Sequence, residues 1–232
     1  MKKVAMLQPN YIPWKGVFDL INRVDAFVFY DDVQYTVKDW RSRNKIKTKD
    51  GELWLTVPVI TKGRREQLVC EAEIDNTTDW QKKHYKTIVS SYLKAPYFKS
   101  YEYLLKDIYL ERQWAMLADL DIFSTKLIAE ALGLNVEWHK SSDLKETGDK
   151  HGEKVVKICK RLDCDYFLNG PASRGYMDDA VFAENHVILD YISYDYREYP
   201  QMYGPFTHHV SILDLLFHCG PDARQYIQPL SQ

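Results

Sequence analysis

Residues 8–14 of the chain read Gln-Pro-Asn-Tyr-Ile-Pro-Trp, a polar aromatic loop that two prolines stiffen. The loop ends where a predicted helix begins, and the free amides and dipole of a helix N-terminus favour phosphate or carboxylate groups. Its amide, phenol and indole side chains suit a flat or sugar-like ligand. We therefore predict that the loop binds substrate through Gln8, Asn10, Tyr11 and Trp14. A rigid connector whose rings only pack is the alternative.

Two carboxylates, Asp31 and Asp32, follow the next apolar run, and Tyr35 lies just beyond them. Neighbouring side chains of an extended segment point in opposite directions, so one of the two carboxylates faces a given site. We take Asp32 as a catalytic candidate that accepts sugar hydroxyls or acts as a base, and Tyr35 as a substrate-binding candidate. Solvated turn acids are the alternative.

A compact basic cluster occupies residues 40–45, Trp-Arg-Ser-Arg-Asn-Lys. Guanidinium groups pair with phosphate in a bidentate manner, so Arg41 and Arg43 are candidates to bind a diphosphate. Asn44, beside them, is a third substrate-binding candidate. Ordinary surface arginines are the alternative.

A glycine-containing turn at residues 169–176 follows a short predicted strand. Glycine lets the backbone approach a ligand closely, and free amides can cradle an anion. The turn lacks the Lys-Ser or Lys-Thr pair of a P-loop, and a simple turn explains it nearly as well. Its substrate-binding candidates are Asn169, Gly170 and Tyr176.

Trp80 and His84 are four residues apart in a predicted helix and therefore share one face of it. A neutral imidazole accepts a proton at cellular pH, so His84 is the candidate general base for a substrate amine. A core histidine bonded to the backbone is the alternative. Cys219 is a possible nucleophile only if a distant histidine such as His84 activates it, because the neighbouring His218 lies elsewhere around the helix.

The cysteines and the paired histidines do not form a metal-binding pattern. The four cysteines lack the CxxC spacing of a zinc ribbon and match no disulfide framework. Adjacent histidines such as 208 and 209 rarely bind one metal together. We predict no metal site and free thiols, which indicates a cytoplasmic protein.

The order of apolar runs predicts the scaffold that positions these candidates, an α/β fold. Runs at 3–8 and 26–30 flank a helix that starts at Lys15, a βαβ unit that implies a parallel sheet. Ser211 and Asp214 form a capping pair that marks another helix start. Further strands are predicted at 52–60, 135–138, 166–168 and 187–192, and helices at 79–93, 101–132 and 150–162. We predict one domain with a mostly parallel, Rossmann-like sheet, flanking helices and a helical region at about 79–132.

The composition argues against two classes of partner. The chain has 31 Lys and Arg against 33 Asp and Glu, a formal net charge of −2, so it lacks the basic excess that drives nonspecific nucleic-acid binding. No run approaches the length of a membrane-spanning helix, and the start, MKKVAMLQP, turns polar too early for a signal peptide. We predict no nucleic-acid partner and no membrane span.

Five segments in matching order give the chain a resemblance to a known family: QPNYIPWKGVFDLI, VDAFVFYDDVQYTVKDWRSRNKIK, WQKKHYKTIVSSYLKAPYF, LNGPASRGYMD and FTHHVSILDLLFHCG. Together they resemble the WbqC-like family over nearly the whole chain. Members often carry a histidine before the Gln-Pro pair and a proline near residues 208–209, where this chain has Leu7 and His209. A mechanism that uses a histidine at position 7 is therefore closed to this chain. The matching positions include Gln8, Asn10, Tyr11, Trp14, Asp32, Arg43, Asn44, His84, Gly170, Tyr176 and Asp214.

The resemblance implies a role in surface-polysaccharide synthesis, because WbqC-like proteins occur in bacterial gene clusters that build O-antigen and capsule. The first hypothesis is an enzyme that transfers an acyl or aminoacyl group to the amine of a nucleotide-linked amino sugar, with an acyl carrier protein or a coenzyme A thioester as donor. An ATP-dependent, adenylate-forming amide ligase is the close alternative. The second hypothesis is a non-catalytic protein that binds a carrier protein or a sugar nucleotide and presents it to a neighbouring enzyme.

Overall fold

The computed structural model describes residues 1–148 and 152–229. These residues form seven strands: β1 Lys3–Leu7, β2 Ala26–Phe29, β3 Arg43–Thr48, β4 Gly51–Thr56, β5 Glu137–Lys140, β6 Tyr166–Asn169 and β7 Ile188–Tyr191. They also form eight α-helices: α1 Lys15–Asn22, α2 Trp80–Tyr92, α3 Phe98–Tyr109, α4 Leu117–Ala131, α5 Ser141–Leu144, α6 Glu153–Arg161, α7 Asp179–Glu184 and α8 Ile212–Cys219. Strands and helices alternate along most of the chain, as the α/β prediction requires.

Five of the strands form one parallel sheet in the order β5-β2-β1-β6-β7. The chain runs outward from β1 through β2 to β5 on one side, then continues through β6 to β7 on the other. This is the strand order of a Rossmann-type sheet, and it confirms the predicted fold class. The order reverses between β1 and β6. In open α/β sheets, ligands bind outside the carboxyl ends of the strands at such a reversal.

Alternation along the central strands produces the two helical layers. Ala5 and Phe27 belong to the apolar cluster that includes α1 and α4, whereas Val4 and Val28 belong to the cluster that includes α6 and α7. Successive side chains of a strand point to opposite faces, so strands covered on both sides are apolar at nearly every position. The run Ala26–Phe29 is buried throughout for this reason.

The chain between β2 and β5 carries the antiparallel hairpin β3–β4 and the helices α2, α3 and α4. Buried residues of these helices, such as Leu104 and Leu120, belong to the same apolar cluster as Ala5 and Phe27. This segment between β2 and β5, called the insertion below, therefore extends the core on the α1 face of the sheet. It begins at the carboxyl end of β2, beside the strand reversal.

Two predicted elements differ from the structure, and one strand was not predicted. The helix expected over 101–132 is interrupted, because the polar segment 111–113 breaks the apolar pattern and the Trp114 indole N–H closes the end of α3 on the Ile108 carbonyl at 2.7 Å. The strand expected at 52–60 ends at Thr56, before Pro58, and pairs with β3 outside the parallel sheet. Residues 43–48, interpreted only as a basic cluster, are strand β3. The helix expected from position 150 is described from Glu153, and residues 149–151 lie outside the described residues.

Asp214 connects α8 to the loop that precedes it and to α2. Its fully buried carboxylate accepts hydrogen bonds from the Tyr92 hydroxyl at 2.8 Å, the Tyr199 hydroxyl at 2.9 Å and the Gln201 amide at 2.7 Å. Ser211 caps the helix through the Leu213 amide, which confirms the predicted helix start. These bonds give Asp214 a structural role that explains why a carboxylate is buried at this position.

We expect Asp214→Asn to lower the free energy of unfolding by about 1–3 kcal/mol, because the amide nitrogen cannot accept the bonds that one carboxylate oxygen now receives. Urea unfolding measures the change. Asp222→Asn, an exposed acid just beyond α8, is the control and should leave the midpoint unchanged. Equal midpoints for Asp214→Asn and the parent would contradict this role.

Candidate functional site

The carboxyl ends of β1, β2 and β6 carry most of the predicted site residues. The loop 8–14 follows β1, Asp31 and Asp32 follow β2, and Asn169 and Gly170 close β6. Because the strands are parallel, these segments lie at one edge of the sheet. The insertion after β2 brings further side chains to the same edge.

The loop after β1 is held in a strained conformation by Asn44. The buried Asn44 amide donates to the Tyr11 carbonyl at 3.2 Å and to the Ile12 carbonyl at 2.9 Å, and the Tyr11 amide donates to the Trp40 carbonyl at 3.0 Å. Ile12 has a φ of 35°, which a β-branched residue rarely adopts. Asn44 therefore supports the loop, with its amide committed to two carbonyls.

Tyr11 and His84 meet in the interior, beneath this loop. The Tyr11 hydroxyl lies 2.8 Å from His84 Nδ1 and 2.5 Å from the Tyr109 hydroxyl, and all three side chains are buried. The Trp80 ring lies edge-on to the imidazole, with centroids 5.4 Å apart. The predicted pairing of Trp80 and His84 on one helix face is therefore present.

Burial, with a smaller contribution from the charge of Lys83, lowers the pKa of His84 to about 4, although the Thr56 backbone partly opposes the shift. The imidazole is neutral at cellular pH. Its Nδ1 forms one hydrogen bond with the Tyr11 hydroxyl. His84 contacts the loop through Tyr11.

Asp121, on α4, is fully buried near this pair. Burial raises its pKa well above the usual range, and the Arg41 guanidinium opposes the shift. The carboxyl also lies close enough to Tyr11, Tyr35 and Tyr109 for its charge to raise their pKa values, in addition to the larger effect of burial. Arg41 pairs with Asp39, and its side chain is 13% exposed.

Asp32 lies on the α6 side of the same edge. Its carboxylate is 2.6 Å from Lys154 Nζ and accepts from the Ser141 hydroxyl at 2.5 Å. Asp31 is buried and accepts hydrogen bonds from the Ser142 amide and hydroxyl at 2.9 and 2.8 Å, at the start of α5. The Ser141 hydroxyl also lies 3.2 Å from Asp31 Oδ1, so it connects the two acids. Asp32 and Lys154 are 18% and 14% exposed, which leaves both within reach of a ligand.

Rings and backbone border the strand reversal between β1 and β6, the region called the crevice below. The Trp14 and Tyr194 rings pack edge to face with centroids 4.9 Å apart, and a Cβ at Gly170 would lie 3.2 Å from the Tyr194 hydroxyl oxygen. Trp14 and Gly170, predicted from separate motifs, therefore meet across Tyr194. Gln8 at the end of β1 has a buried side-chain oxygen with no hydrogen-bond partner in the described part of the chain.

The remaining predicted residues are less centrally placed. The Asn10 amide donates to the Gln8 carbonyl at 2.9 Å, and Asn169 Oδ1 accepts from the Gly170 amide at 2.8 Å, so both stabilise turns at the edge. The Arg43 guanidinium stacks on Trp54 at 4.3 Å. Tyr176 is 72% exposed on its turn.

Three observations concern metal ligands, thiols and membrane-spanning helices. Across residues 1–148 and 152–229, no three His, Cys, Asp or Glu side chains form a group that could hold a metal ion. Burial, with the charges of Asp214 and Asp222, raises the pKa of Cys219 to about 11, so its thiol is protonated at neutral pH. No helix in the described ranges is long and apolar enough to cross a membrane.

Fold and site together define a Rossmann-like α/β protein with polar and aromatic side chains at its strand reversal. The chain belongs to the WbqC-like protein family, whose model matches residues 8–226. It is 43% identical over 229 residues to Uncharacterized protein Rv1507c of Mycobacterium tuberculosis, a match that covers 98% of each chain. No solved structure matches the chain. The resemblance drawn from the five segments is confirmed.

Sequence reasoning missed several residues of this edge: Tyr109, Asp121, Lys154 and Tyr194. Asp121 had a recognisable signal, since it occupies a core-facing position of α4 between Leu117 and Ile128 in the helical pattern. Lys154 and Tyr194 had none, because their contacts depend on how α6 and the segment after β7 return to the edge. A charged residue on an apolar helix face is unusual, and this is the signal that identifies Asp121 in the sequence.

We expect His84 and His208 to lower the stability of the folded protein as the pH drops from 6.5 towards 4, whereas the raised pKa of the buried Asp121 carboxyl opposes this effect. In that window the unfolded chain protonates His84 and His208, whose folded pKa values are both lowered to about 4, so the folded state binds fewer protons. Each histidine contributes a slope of up to about 1.4 kcal/mol per pH unit. His84→Gln should therefore reduce the slope by about that amount.

Urea unfolding at several pH values in this window measures the slope. His186→Asn removes an exposed imidazole and serves as the control. If His84→Gln kept the parent slope, the imidazole would be solvated rather than held in a dry network.

Proposed function

We propose that the protein binds a nucleotide-linked amino sugar at the carboxyl edge of its sheet and transfers an acyl or aminoacyl group to the sugar amine. The observation that carries this proposal is the reversal of strand order between β1 and β6, with the loop 8–14 on one side and Gly170 on the other. Sheets with this order bind nucleotides at this point. Membership of the WbqC-like family supports the same context of surface-polysaccharide synthesis.

The crevice offers the groups that such a ligand needs. Trp14 and Tyr194 present ring edges and faces to a base or sugar, and Gly170 lets a ligand approach the backbone. In Rossmann-type sheets an acid at the end of the second strand accepts ribose hydroxyls. Asp32 holds that position here, with Lys154 beside it as a donor.

Acyl transfer requires a free amine, so the substrate ammonium must lose a proton. His84 is neutral at cellular pH and its Nδ1 lies 2.8 Å from the Tyr11 hydroxyl, so under this proposal the pair is a two-residue proton route from the loop to the imidazole. Asp32 is the second candidate base. Under this proposal His84 acts through Tyr11 and belongs to the catalytic machinery.

The acyl donor is a thioester of coenzyme A or of an acyl carrier protein; the amide bond forms as the C–S bond breaks, and the free thiol leaves. A ligase that activates a carboxylate with ATP, and a non-catalytic presenter of sugar nucleotides, belong to the same context. Activity and binding assays of the purified protein distinguish these three functions. Turnover of an amino-sugar nucleotide with a thioester alone indicates a transferase, a requirement for ATP indicates a ligase, and binding without turnover indicates a presenter.

We expect Gly170→Leu to weaken binding of UDP-glucosamine, used as a representative nucleotide-linked amino sugar, by about tenfold or more. The added side chain would occupy the space beside the Tyr194 hydroxyl, which can shift because it ends a flexible side chain. Isothermal titration measures the affinity. Gly175→Leu is the matched control on the same turn, where a Cβ has no neighbour within 4 Å. Equal affinities for the two variants would show that the crevice is not part of the binding site.

We expect His84→Gln to keep substrate affinity and to lower turnover by about a hundredfold, the usual size of a general-base effect. Glutamine can still accept from Tyr11, so the fold and the binding edge remain. Steady-state rates with the thioester donor test this. Turnover of His84→Gln at the parent rate would show that His84 has a structural role, and Asp32 would then be the candidate base.

A further inference from the structure

Asp121 presents an unusual problem of hydrogen bonding. The residue is fully buried, yet neither carboxylate oxygen has a partner in the described part of the chain. Thr125, one helical turn later on the same face of α4, is buried and has an unpartnered hydroxyl oxygen. Buried polar atoms are nearly always hydrogen-bonded, because leaving them unpaired costs about 1–3 kcal/mol each or more.

The neighbouring hydroxyls satisfy neither residue, because none of them forms a hydrogen bond with Asp121 or Thr125 in the described part of the chain. The Tyr11 hydroxyl instead bonds to His84 Nδ1 at 2.8 Å. It also shares a hydrogen bond of 2.5 Å with the Tyr109 hydroxyl. These three side chains therefore form a network of their own.

The Asp121 cluster, defined here as Asp121, Thr125 and the nearby Tyr109, thus contains three buried oxygens without a partner, two on Asp121 and one on Thr125. The nearby cation is Arg41, whose Nη1 pairs with Asp39 and whose buried Nε also lacks a partner among the described residues. Asp121 forms no ion pair within 4 Å among the described residues. Burial raises the pKa of the lone Asp121 carboxyl, and a bound cation favours its ionised form. A primary ammonium brings that charge together with three N–H donors.

We propose that the Asp121 cluster binds the ammonium group of the substrate, with Arg41 at its surface end. The choice of an amino sugar as the substrate rests on the proposed function, whereas the requirement for an ammonium group rests on the cluster alone. Tyr11 joins the cluster to the loop 8–14, so an amine bound there lies next to the predicted substrate edge. The site lies on the α4 side of that edge, away from the Asp32–Lys154 pair.

Glucosamine and glucose test the proposal, because they differ in one amine and need no nucleotide. The parent protein should bind glucosamine about tenfold or more tightly than glucose in isothermal titration. Asp121→Asn keeps the shape and removes the charge, and it should abolish this difference. Asp119→Asn, an exposed acid in the first turn of α4, should preserve it. Thr125→Val gives a second variant, with an expected smaller loss.

Thermal unfolding of each variant shows that it folds. Equal binding of the two sugars by the parent, or an amine preference that survives Asp121→Asn, would overturn the proposal and mark the cluster as a buried water site. UDP-glucose and UDP-glucosamine separate the two proposals. If both nucleotides bind equally, the ammonium site fails and the nucleotide crevice stands. If only free glucosamine binds, with dependence on Asp121, the ammonium site stands and the crevice fails.

Discussion

The side-chain amide of Asn44 is the constraint on which the arrangement of the site depends. It bonds to two successive carbonyls of the loop after β1 and holds Ile12 at a positive φ. This conformation turns the Tyr11 side chain into the core, where it meets His84 and Tyr109. Strain of this kind costs about 1–3 kcal/mol and persists only when the surroundings hold it in place. The hairpin that carries Asn44 is therefore part of the functional edge.

The Rossmann strand order gives this edge two sides with different chemistry. On the side of α2, α3 and α4, the groups are buried and poor in hydrogen-bond donors, and they surround Tyr11 and Asp121. On the side of α6, Asp32 and Lys154 are partly exposed and suit polar contacts with a sugar. The crevice beside Trp14 lies between them, at the strand reversal. A ligand with a nucleotide, a sugar ring and an amine has one matching region for each part.

The sequence predicted the scaffold better than the site. Parallel strands, the first helix and the start of α8 follow from periodicity and capping, which are local signals. The strand β3 could not be predicted from its polar and charged residues, because Asn44 and Lys47 are buried only through contacts with distant segments. The meeting of Tyr11 and His84 spans 73 residues, and no local pattern encodes such a distance. Asp121 was visible in principle, as a charge within an apolar helix face.

A crystal structure of the protein with UDP-glucosamine tests the central claim most directly, that the carboxyl edge at the strand reversal is the ligand site. The account predicts the nucleotide in the crevice between β1 and β6, against Trp14 and Gly170, with the sugar amine directed to Asp121. Ligand bound in the cavity of about 410 Å³ between α4 and β5, lined by Lys126 and Trp138, would contradict it.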